Sequence, residues 1–156
     1  MTNDCTQPGI AHSTPAATGA DAQGRDLGVY LGTAQERLEQ ARDLLQAGAL
    51  ALQADRSAAT RAAASHLVDT AVSAVKAAID PFDCRVGPAA HVEAEAGMFR
   101  ALSLLLVLRR DLAQPEPTDG QGLCDEPAAD ALQVAAEVVG GLVRQMEECL
   151  TEVCPG

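Results

Sequence analysis

The run Leu102-Ser103-Leu104-Leu105-Leu106-Val107-Leu108, closed by Arg109-Arg110-Asp111, constrains this chain more than any other segment. Its apolar residues cover every side of two helical turns, so it belongs inside protein rather than on a surface. It is too short to cross a bilayer, which takes roughly 20 apolar residues. The segment therefore reads as the central helix of a soluble bundle, or as the seam of an oligomer.

The 156-residue length suits one domain. There is no Trp, one Tyr and two Phe, and Ala is abundant. Good helix formers fill the interior segments, while strand-favouring aromatic and β-branched residues are sparse. These features predict an all-α protein. The net charge of −11, from 22 acidic and 11 basic residues, argues against a nucleic-acid partner, because neutralising phosphates needs clustered Lys and Arg. A basic protein partner, or solubility alone, is compatible with it. The first residues carry neither a basic nor an apolar leader pattern, and the cysteine count of five is odd. Both point to a cytoplasmic setting with reduced thiols.

Residues 1–25 are polar, small and broken by Pro8, Gly9, Pro15, Gly19 and Gly24, which predicts a disordered tail. Residues 26–156 then read as an antiparallel up-down-up-down four-helix bundle. The first helix, from about Asp26 to Gln53, carries Leu31, Ala34, Leu38, Ala41, Leu45 and Leu52 at alternating spacings of three and four, with Gly48 in the gap. A second helix, capped by Asp55 or Ser57, reaches about Asp80 before Pro81, with Ala64, Leu67, Val68, Ala71, Val72, Val75 and Ile79 facing inward. The third spans about Ala89 to Ala113. The fourth starts near Glu126-Pro127, with Leu132, Ala135, Val139, Leu142, Met146, Cys149 and Val153 as its stripe. Gly140-Gly141 in that helix permits a close contact or marks a bend.

This topology gathers Cys84, His91, Cys149 and Cys154 at one pole. Three thiolates and an imidazole form a legitimate tetrahedral zinc set, and two of the thiols could instead form a redox disulfide. The spacings Cys84-x6-His91 and Cys149-x4-Cys154 match no standard zinc knuckle, and inert thiols remain the plain alternative. Separately, Arg61-Ala62-Ala63-Ala64-Ser65-His66 resembles the short Arg-x4-His motif of the HEPN ribonucleases, which are also helical bundles. The resemblance implies RNA cleavage by Arg61 and His66 across a dimer. On one straight helix these side chains stand about 140° apart, and the acidic charge opposes RNA binding. No Glu-x-x-His pair supports a di-metal carboxylate bundle, and phosphate-loop, nucleophile-elbow and His-Glu-x-x-His motifs are also missing.

The reading that best fits the residues is a non-catalytic protein–protein interaction module: a small acidic adaptor, chaperone, immunity or regulatory protein that forms a homodimer. It needs no cofactor and binds itself and an unidentified protein, with neither nucleic acid nor membrane as a partner. Phe99, Leu102, Leu105, Leu106 and Val107 are the expected self-association residues, since the third helix has more apolar surface than a monomeric bundle needs. A metal- or redox-responsive protein using Cys84, His91, Cys149 and Cys154 is the first alternative. A HEPN-like ribonuclease using Arg61 and His66 is the second.

Overall fold

In a computed structural model, which describes residues 6–80, 89–113 and 125–153, the chain is four helices: α1 (Thr6–Ala54), α2 (Ala58–Ile79), α3 (Ala89–Ala113) and α4 (Asp125–Val153). Side-chain surroundings are described for residues 28–80, 92–113 and 128–152. Among the described residues, α1 packs on α2 and α4, and α3 packs on α2 and α4, with no close backbone approach across either diagonal.

The directions follow from which residues meet. Gly48, late in α1, lies beside Ala64 and Leu67 early in α2 and Leu132 early in α4. At the other end, Gln35 of α1 donates from Nε2 to Glu147 Oε1 of α4 at 3.3 Å. Between α2 and α3, Arg109 stands 3.7 Å from Asp69, and Arg61 reaches the carbonyls of Asp111 and Leu112. Neighbours therefore run antiparallel, in the up-down-up-down order.

The core contains most of the stripes that the residue spacing predicts, with Leu67 only half-buried and Ala49, Ala74, Ala78, Ala136 and Val143 added. Leu31, Ala34, Leu38, Ala41, Leu45 and Leu52 of α1 are all fully buried. Each leucine contributes about 1.5–3 kcal/mol of apolar burial, and the alanines between them let α2 and α4 approach. Gly48 completes the stripe because space is short: a Cβ there would lie 3.3 Å from Leu132 Cδ1. In α4 the backbone continues as helix through Gly140-Gly141, and a Cβ on buried Gly140 would stand 3.5 Å from Arg42 Cδ. That distance is ordinary contact, and a Cβ on Gly141 would meet nothing closer than Arg144 of its own helix at 3.9 Å, so the pair neither breaks α4 nor is demanded by its packing on α1.

Two features differ from the expectations above. Helical backbone begins at Thr6, not near Asp26, so α1 enters the region expected to be a disordered tail. Extending an established helix needs no second nucleation, so polar residues can follow it without a core of their own. Leu105 is the other difference. It is 0% exposed, inside a stripe with Ala94, Met98, Ala101, Leu108 and Leu112, and is a core residue rather than a surface one.

The link between α1 and α2 is a compact polar turn. Ser57 takes extended backbone angles (φ −70°, ψ 156°) as the N-cap of α2, and its Oγ accepts the Thr60 N–H at 3.2 Å. Asp55 accepts the Thr60 hydroxyl at 2.6 Å, the Ser57 hydroxyl at 2.8 Å and the Ser57 N–H at 3.1 Å. Both proposed caps therefore act, one on the helix and one on the capping residue. The Thr60 hydroxyl above all, then the Ser57 hydroxyl and N–H, holds the Asp55 carboxyl below the ordinary aspartate range.

Two outcomes follow. Leu45→Ala should cost about 2–5 kcal/mol in chemical denaturation, whereas Leu50→Ala, at an exposed site of the same helix, should stay within about 0.5 kcal/mol. Because folding lowers the Asp55 pKa, its contribution is complete above the ordinary aspartate value and fades as pH falls through the lowered one. The stability gap between wild type and Asp55→Asn should accordingly close in strong acid; a gap independent of pH would contradict this role.

Candidate functional site

Of the four residues proposed for a metal or redox pole, Cys149 has a described side chain. Cys84 and Cys154 lie outside the described residues, and His91 is placed in the first turn of α3 by its backbone alone. Cys149 is 3% exposed on the inner stripe of α4. Burial chiefly, then the nearby Glu152 and Glu148 charges, pushes its thiol above the ordinary range. A thiol so placed stays protonated, which weakens it as nucleophile and as metal ligand. Among the described residues, no three His, Cys, Asp or Glu side chains are grouped to hold a metal ion.

Arg61 and His66 both lie on α2 and do different things. Arg61 donates from Nη2 to the Asp111 carbonyl at 3.1 Å and from Nε to the Leu112 carbonyl at 3.4 Å. These carbonyls end α3, where helical carbonyls lack intrahelical donors and the dipole favours a cation. His66 is exposed, and its carbonyl accepts the Thr70 hydroxyl at 3.0 Å. Arg61 is thus a cap supplied by the neighbouring helix. That role is invisible in the α2 sequence and follows only from α2 starting beside the end of α3.

The expected association residues divide by burial. Leu105 is core, and Leu102 and Leu106 are half-buried against it. Phe99 at 46% and Val107 at 57% exposure face outward, joined by Val92 at 59%, which the sequence reading passed over. A mostly apolar band therefore runs along the outer side of α3, from Val92 through Phe99, Leu102 and Leu106.

A second surface feature lies between α3 and α4, a groove of about 370 Å³ lined by Glu93, Gly97, Arg100, Val138, Gly141, Leu142 and Gln145. The Leu142 side chain occupies the space over Gly97, where a Cβ would fall 2.6 Å from Leu142 Cδ2. Gly97 and Gly141 are the sequence signal of this groove, and only Gly141 was noticed, for its effect on α4. Exposed Val138 and Val134 of α4 extend the apolar surface beyond it.

No helix is long and apolar enough to cross a membrane among the described residues. No known protein family, curated protein or solved structure matches the chain.

The burial of Cys149 makes a direct prediction. In native protein at mildly alkaline pH, peptide mapping should show Cys149 alkylated far more slowly than in denatured protein, at a rate set by opening of the bundle. Equal rates in the two states would mean that the thiol is accessible.

Proposed function

We propose that this chain is a non-catalytic, cytoplasmic protein–protein interaction module that works as a homodimer and also binds an unidentified protein. The observation that carries this reading is the division of α3. One side supplies buried Met98 and Leu105, while the other leaves Val92, Phe99 and Val107 open to water. Contiguous exposed apolar surface on a small helical protein is characteristic of a partner surface. The other readings draw less support, because Arg61 already serves the end of α3 and Cys149 is sealed within the core.

Phe99→Asp tests the reading. Phe99 is half-exposed, so the variant should keep the helical circular-dichroism signal and lose little stability. Light scattering should give a two-chain mass for wild type and a one-chain mass for Phe99→Asp. An assembly that Phe99→Asp leaves intact would contradict the assignment of this face.

A further inference from the structure

Resting on that reading, we infer that the outer face of α3 pairs with α3 of a second copy, antiparallel, about a two-fold axis beside Leu102. The core stripe of α3 runs Ala94, Met98, Ala101, Leu105, Leu108, Leu112, alternating four and three. A second stripe of the same kind, Val92, Glu95, Phe99, Leu102, Leu106, Arg109, lies about 100–140° around the helix. Spacing of this kind is the seam of a helix pair. The bundle already uses the first seam, and the second faces outward with Val92 and Phe99 exposed and Leu102 and Leu106 half-buried.

The second stripe is complementary to itself when reversed. A two-fold contact sets residue i against j and j against i. With the axis beside Leu102, Phe99 meets Leu106 of the second copy, Leu102 meets the second Leu102, and Glu95 meets Arg109 and Arg110 of the second copy. The stripe thus has an apolar middle, an acid at one end and bases at the other. Arg109 is 3.7 Å from Asp69, with both side chains about half exposed, and Arg110 is exposed beside it.

Charge selects the same face. The whole chain carries −11, so two copies repel unless they meet where charge is low. The charges of α3 cancel, with Glu93, Glu95 and Asp111 against Arg100, Arg109 and Arg110. Its neighbour α2 has Arg61 and Lys76 against Asp69. By contrast α4 carries seven carboxylates against Arg144 alone. A second copy seated over the α3–α4 groove would bring two such helices together, whereas pairing through α3 keeps them apart.

Sedimentation equilibrium of charge-reversed full-length chains tests the geometry, with Phe99→Asp run alongside. Glu95→Arg alone sets like charges against Arg109 and Arg110 of the second copy, and Arg110→Glu alone sets like charges against Glu95. Each should weaken dimerisation about tenfold or more. Glu95→Arg/Arg110→Glu together re-forms one of the two opposite-charge contacts and should dimerise more tightly than either single variant. If Phe99→Asp dissociates the dimer but the combined variant is no tighter than either single one, the antiparallel register is wrong while the α3 face stands. If Phe99→Asp leaves the dimer intact, the face itself is wrong, and a wild-type chain that sediments as one copy overturns the self-pairing.

Discussion

The structure depends on the leucine–alanine seam of α1, held between α2 and α4. Its large residues are leucines one seam position apart, and the small residues between them set how closely the neighbours approach. Such a core is narrow, and among the described residues no aromatic side chain is buried in it. Because α1 and α3 stand diagonally apart, with no backbone approach between them, the close neighbours of α3 are α2 and α4. Thus a tight seam built on α1 goes with a third helix that keeps Val92, Phe99 and Val107 on an open side.

That geometry also explains what was legible in the residues. The seams of α1, α2 and α4 can be read directly because each helix carries one dominant apolar stripe, and most of the residues on those stripes are buried. In α3 two stripes compete, and periodicity cannot say which faces inward. Leu105, expected as an association residue, lies on the buried stripe. A discriminating signal was present: the inner stripe from Ala94 to Leu112 holds no charge, whereas the outer one contains Glu95 and Arg109. Charges that would be costly to bury mark the outer face, even where its centre is leucine and phenylalanine.

Other features needed the third dimension. Arg61 looks like a surface charge on α2 until α3 is seen to end beside it, where its guanidinium meets two terminal carbonyls. Helical backbone in α1 begins at Thr6, upstream of the start near Asp26 that the Pro and Gly content of the first residues predicts. The link at Asp55–Ser57 could be read locally, since a side chain capping a following helix requires no tertiary partner. Cys149 lay on a predicted core stripe, and its raised thiol pKa is the electrostatic consequence of that position.

The central claim, that α3 faces another copy of itself, is tested most directly by spin labels at Ser103 and, separately, at Glu137, each introduced as the single cysteine of a chain whose five native cysteines are replaced by alanine. Both positions are exposed, Ser103 on α3 beside the proposed axis and Glu137 on α4. Paired helices sit with axes about 8–10 Å apart, so labels at Ser103 should broaden each other's spectrum and labels at Glu137 should not. Broadening at Glu137 with none at Ser103 would place the contact on α4 and contradict the account.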